Sequence, residues 1–260
     1  MVSFSRIAVI ARNVFLEVIR DRILYVLALF AIVMVVAIAL LPEVAAGTEN
    51  KLLLDLGLGA INLFTLVVTI VVGTGLVNKE IEKKTVLVLI AKPVGRFDII
   101  LGKHLGLAAL VATLMVAQTA IFFTLLALKG AAIPALSLLL ALGFMYLEML
   151  LMVAVTLLFG VFTSSLLATL LSFGTYLVGH LSTDLLNLSQ LGESVGFQRV
   201  VEGLYLVLPN LERLNLKNEA VYGLALLPNA GQLALSALYG LIYTALLLTL
   251  ASNIFARRQF

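Results

Sequence analysis

Apolar residues in this chain run in long unbroken stretches; they neither alternate nor keep to one face of a helix. Residues 23–41 are apolar throughout, bounded by Arg20-Asp21-Arg22 and by Pro42-Glu43. That run is longer than the roughly 7–15 residues of a secretory signal core, and a long N-terminal segment precedes it, so a retained first span is expected. Second and third spans are predicted at 56–77 and 105–128. Between 130 and 183, Glu148 is the only acid and no Lys or Arg occurs. As one helix this stretch would reach about 81 Å against a hydrocarbon core of about 30 Å, so it must fold back once. The turn is expected at Gly160-Val161-Phe162-Thr163-Ser164-Ser165, where hydroxyls can satisfy freed backbone groups and cap the next helix. This gives spans at 133–159 and 166–181, and a sixth at 233–255.

Composition agrees. The chain is 62% hydrophobic and 12% charged, against about 45–50% and about 25% for soluble domains. Too little polar surface exists to clothe a water-soluble core, so lipid is the solvent. The fold class predicted is all-α: one polytopic domain over 1–260 with six transmembrane helices. Six spans put both termini on one side. Twelve of the seventeen basic residues share that side: Arg6, Arg12, Arg20 and Arg22; Lys79, Lys83, Lys84, Lys92, Arg96 and Lys103; Arg257 and Arg258. The positive-inside rule makes it cytoplasmic, and eight acids lie on the other side. The absence of cysteine excludes disulfides, thiolate metal sites and a Cys nucleophile. The absence of tryptophan leaves any aromatic belt to Tyr and Phe.

Three segments lie outside the spans. In 4–20, Ile7, Ile10, Ala11, Val14, Phe15 and Val18 follow helical spacing opposite Arg6, Asn13, Glu17 and Arg20, while Val9, Leu16 and Ile19 interrupt the polar face. An interfacial helix on the inner leaflet is expected, in preference to a docking surface. The loop 78–103 opens with a charged turn, Lys79 to Thr85, and continues apolar through 86–91. Pro93 stops its helix, Gly95 permits a sharp turn, and Asp98 complements the start of the third span. The loop is longer than a connection requires, so a partner is expected to grip it. In 187–232, Phe197, Val200, Val201, Leu204, Tyr205 and Leu208 form a helical stripe ended by Pro209. That stripe suits either a gate over the bundle or an inert helix in the headgroups.

Candidate chemistry is sparse. The sequence has no G-x-x-x-x-G-K-[ST], H-E-x-x-H or G-x-S-x-G. His180 and Asp184 have a metal-compatible spacing, but two ligands do not make a site, so no metal is expected. Glu148 lies mid-span, where neutralisation or a polar partner is required. It marks either a translocation or proton path or an inter-helix bond to Gln118 or Asn62. Met145, Met149 and Met152 read as a packing stripe.

Several of these pieces together resemble the ABC-2-type permease subunits of ATP-binding-cassette transporters. They are Glu80-Ile81-Glu82-Lys83-Lys84-Thr85, Ala91-Lys92-Pro93, Arg96 and Leu101-Gly102-Lys103. Leu208-Pro209-Asn210-Leu211 follows, with Asn215 and Tyr222-Gly223, and then the closing Ile254 to Phe260. The chain looks closest to the six-span exporters that include the permease for nitrous-oxide-reductase maturation. Where members often place Ser or Thr before the arginine, this chain has Gly95. The resemblance implies a multi-pass protein of a prokaryotic plasma membrane, not itself an enzyme. It would work with a second permease copy, as homodimer or related heterodimer, and with separate ABC ATPase subunits carrying ATP and Mg. It further implies ATPase coupling through Glu80, Glu82, Lys84, Thr85, Pro93 and Arg96, while the mid-span position of Glu148 makes it, with Gln118 and Asn62, the candidate translocation path. An extracellular gate would involve Tyr205, Pro209 and Asn210. No nucleic-acid partner is expected. The alternative is a non-transporting membrane anchor of a larger complex. The residues do not distinguish lipid, drug, peptide or metal-related cargo.

Overall fold

Lipid offers backbone groups no partner, so each apolar run must satisfy its own N–H and C=O groups, and helices result. The computed structural model describes residues 4–21, 23–44, 49–82, 95–131, 133–191 and 195–257. Its helices are α1 (Phe4–Asp21), α2 (Ile23–Val44), α3 (Glu49–Glu82), α4 (Arg96–Lys129), α5 (Ala135–Phe162) and α6 (Ser165–Leu191). They are followed by α7 (Val195–Val207), the short α8 (Lys217–Ala220) and α9 (Ala230–Arg257). Single 3-10 turns occur at Leu211–Leu214 and Leu224–Leu226. No strand occurs among the described residues. Six helices, α2 to α6 and α9, are long and apolar enough to cross a membrane. Each of α3 and α4 has 34 residues, about 51 Å of helix, and must project beyond a core of about 30 Å.

At the centre lies α5, packed against α3, α4, α6 and α9, with every residue from 151 to 157 buried. The methionine stripe belongs to this core: Met145, Met149 and Met152 are all buried. Two tight turns set its register. At the first, Gly130 adopts a left-handed φ of 70°, and the Gly130 and Ala131 N–H groups close α4 on the carbonyls of Ala127 and Leu126. At the second, only Thr163 and Ser164 separate α5 from α6. The Thr163 hydroxyl donates to the Phe159 carbonyl at 2.9 Å, and the Ser164 carbonyl accepts from Ala168 N–H at 2.8 Å. This is the hydroxyl-lined turn expected within 160–165.

Helix α1 does more than lie along a leaflet. It packs along the first half of α4, burying Ile7 and Val14. Gly102 and Gly106, spaced four apart, face it. A methyl on Gly106 would stand 2.7 Å from both the Ala11 carbonyl oxygen and Val14 Cβ. Small residues at that spacing let two backbones approach closely. The last turn of α9 reaches the same end, where the Arg96 guanidinium lies 5.5 Å from the Phe255 ring centre. We call this the basic end.

Two expectations are corrected. Gly95 does not use a conformation special to glycine: it is extended, with φ −64° and ψ 141°, open to any residue, and the segment before it lies outside the described residues. Helix α6 does not stop near 181 but continues to Leu191. Its serines cause no break, because Ser182 and Ser189 donate to the carbonyls of Gly179 and Leu186 within the helix.

Candidate functional site

Polar side chains are scarce in the spans, and the structure gathers them at mid-depth where α3, α4, α5 and α6 meet. Glu148 on α5, Gln118 on α4 and Asn62 on α3 are all buried, at 0%, 0% and 2% exposure. They occupy one layer but do not bond to each other as expected. The partner of Glu148 is His180 on α6, with Nε2 2.8 Å from Glu148 Oε1. Thr65 donates to Gln118 Oε1 at 2.9 Å, and the Tyr176 hydroxyl donates to Asn62 Oδ1 at 3.0 Å. The Tyr176 and His180 rings meet edge to face at 4.5 Å, linking the two halves of the layer. Each pairing follows from geometry: His180 and Tyr176 are one turn apart on α6, as are Asn62 and Thr65 on α3.

The far side of His180 explains what holds it. Its Nδ1 lies 3.3 Å from Glu212 Oε2. Glu212 comes from the 3-10 turn at Leu211–Leu214, which inserts among α5, α6 and α9 and buries Leu211 and Leu214 completely. Gly179 makes room, since a methyl there would sit 2.8 Å from the Pro209 carbonyl oxygen. Asn215 adds an amide hydrogen bond to Glu212 at 3.3 Å. The hydrogen bond from His180 holds the Glu212 carboxyl below its ordinary pKa, helped by Asn215 and Lys217 and opposed by partial burial. Both ring nitrogens of His180 are thus engaged by carboxylates, whereas Asp184 is exposed. The His180–Asp184 spacing therefore does not describe a metal pair here, and among the described residues no group of three or more potential ligands converges.

The residues expected to gate the bundle do not form a loose cover. Pro209 and Asn210 are buried between α6 and α9. Asn210 N–H donates to the Tyr239 hydroxyl at 2.8 Å, and its amide donates to Thr183 at 3.3 Å. Ser137 on α5 donates to the Ala220 carbonyl at 2.7 Å. Residues 208–221 are consequently wedged into the end of the bundle opposite the basic end. Tyr205 lies on α7, whose apolar stripe is only partly used. Val201 is buried, but Val200 and Leu204 are exposed; α7 packs chiefly on α6, and the carbonyl of its last residue, Val207, accepts from the Tyr243 hydroxyl of α9 at 2.6 Å.

At the basic end, α3 remains helical through Glu80 and Glu82. Lys84, Thr85 and Pro93 lie outside the described residues. Arg96 opens α4 and is half-buried against α9.

These features define a polytopic membrane protein with several hydrogen-bonded polar side chains buried inside its helical bundle. The family described as ABC-2 family transporter protein matches residues 8–260, and the chain belongs to that family. It is accordingly a membrane component of an ABC-type transporter. No curated protein matches the chain.

Proposed function

We propose that this chain is the permease subunit of an ABC exporter in a prokaryotic plasma membrane. It would form the translocation pathway together with a second permease copy, and be driven by separate ATPase subunits that bind ATP and Mg. The observation that carries this reading is the platform at the basic end. There α1 is seated on α4 through Gly102 and Gly106, and α3 continues beyond the span to Glu82. A partner that pushes on residues 79–96 would move α3 and α4 together, because both are single unbroken helices leading into the mid-span polar layer. The sequence has no phosphate-binding loop, which fits a division of labour with an ATPase chain. The basic end would be cytoplasmic by the distribution of Lys and Arg. Residues 208–221 would then close the pathway on the outer side, with Tyr205, Pro209 and Asn210 at their hinge. Glu80, Glu82, Lys84, Thr85, Pro93 and Arg96 would make the ATPase contact.

Reversing charge at Glu80 and Glu82 tests the proposal. The variant is expected to keep its fold and membrane insertion while losing co-purification with the ABC ATPase, or losing stimulation of its hydrolysis. Unimpaired ATP-driven transport by the variant would sink the assignment.

A further inference from the structure

Glu212, His180 and Glu148 stand in a line that runs from the surface of the bundle into its centre. Their side chains are 47%, 16% and 1% exposed in that order. The imidazole bridges two carboxylates, with Glu212 Oε2 3.3 Å from Nδ1 and Glu148 Oε1 2.8 Å from Nε2. The second oxygen of Glu148, Oε2, is buried and has no hydrogen-bond partner. A buried carboxylate oxygen without a partner is rare unless a proton or an ordered water satisfies it. A bond made only to lock packing would need neither the exposed end nor the open oxygen.

We propose that these three residues form a proton-uptake relay that delivers one proton from the aqueous phase beside Glu212 to Glu148. This goes beyond the permease reading and does not depend on an ATPase partner. The ligand is the hydrated proton. It transfers to the Glu212 carboxylate, leaving water behind. With His180 in its Nε2–H form, Nδ1 takes the proton from Glu212 while the Nε2 proton passes to Glu148 Oε1. One O–H bond is broken at Glu212 and one is formed at Glu148. The imidazole is left in its Nδ1–H form, the tautomer that donates to the ionised Glu212 carboxyl.

The surrounding groups suit this task. Tyr176 packs edge-on against the ring but directs its hydroxyl to neutral Asn62, so it does not compete for either nitrogen. Asn215 orients Glu212 from the following residues. Lys217 is the cation whose field reaches both His180 and Glu212, whereas Arg213 is turned onto the Tyr239 ring at 5.1 Å. Asp184, one turn beyond His180 on α6, is exposed and outside the line.

The test uses the full chain in lipid vesicles, with infrared spectroscopy following the carbonyl stretch of a neutral carboxylic acid after a jump to lower pH. A band that rises in the native protein, is missing in Glu148→Gln and shifts in Glu148→Asp is expected. Glu212→Gln keeps a hydrogen-bond acceptor for the imidazole but cannot carry a proton. It should slow the rise on the order of a hundredfold, the lower end of what a positioned proton shuttle contributes. A purely structural contact would tolerate that amide. A band that persists in Glu148→Gln, does not shift in Glu148→Asp, or rises at the native rate in Glu212→Gln would overturn the relay.

Discussion

Replacing Gly106 by alanine inserts one methyl group into the closest approach between α1 and α4. That carbon would lie 2.7 Å from the Ala11 carbonyl oxygen and 2.7 Å from Val14 Cβ. Comfortable carbon contacts begin at about 3.5 Å, so α1 must withdraw by about 0.8 Å. Overpacking of this kind typically costs about 1–3 kcal/mol. Alanine also favours α4 as a helix by about 1 kcal/mol over glycine, which could mask the cost in a global melt. The two effects separate if the contact itself is measured. The chain contains no cysteine, so Ile7→Cys, at a position only 4% exposed on the buried face of α1, gives a single reporter thiol. At about 2 kcal/mol, local opening of α1 becomes about 30-fold more frequent, and maleimide labelling should accelerate by that factor relative to Ile7→Cys alone. The rest of the bundle should hold, since α1 packs chiefly on α4 and only lightly on α2. Unchanged labelling in Ile7→Cys/Gly106→Ala would refute the view that this glycine seats α1.

Two further outcomes are expected at the opposite end. The Glu212 carboxyl is held below its ordinary pKa of 4.5 in the fold; its contribution to stability is therefore complete above that value and lost as pH falls through the depressed one. Amide exchange across 208–221, corrected for intrinsic rates, should lose protection on acidification, and Glu212→Gln should flatten that dependence. Ser137→Ala removes the hydroxyl that reaches the Ala220 carbonyl at 2.7 Å, leaving that carbonyl with the Gly223 N–H at 3.1 Å. It should weaken the same segment by about 1 kcal/mol in the exchange measurement, and no change there would show that other contacts hold the wedge.

Much of the bundle is legible from the sequence because lipid enforces a simple rule: an unbroken apolar run becomes a span. The fold-back at Thr163 and Ser164 follows from length alone. The glycine pair Gly102 and Gly106 is equally visible, yet its meaning depends on α1 being apolar on the matching face, which interruptions at Val9 and Leu16 obscure. Both of those residues are in fact exposed. The partner of Glu148 was also within reach. Glu148 lies fifteen residues before Thr163, and His180 lies sixteen after Ser164. In an antiparallel helical hairpin, residues equally far from the turn share one depth, and this pairing follows from the position of the turn. What sequence could not reveal is the inserted 3-10 turn. Leu211 and Leu214 are too few to form a periodic signal, and only the room beside Gly179 tells where they go.

The two-residue turn between α5 and α6 has a mechanical consequence. Most hydroxyls on α6 are spent on their own helix, with Thr169, Ser172 and Thr175 each donating to the carbonyl four residues back. Among the described residues, α6 is joined to α3 and α5 by two neutral side-chain bonds, Thr74–Thr169 and Tyr176–Asn62, and by the Glu148–His180 pair. Neutral bonds of this kind inside membranes average about 0.6 kcal/mol each, so the first two together resist displacement by only about 1 kcal/mol. Shape complementarity resists separation strongly but resists sliding along the axis weakly. The hairpin therefore behaves as a pair of smooth rods pinned at one height, with Glu148 and His180 as the pin.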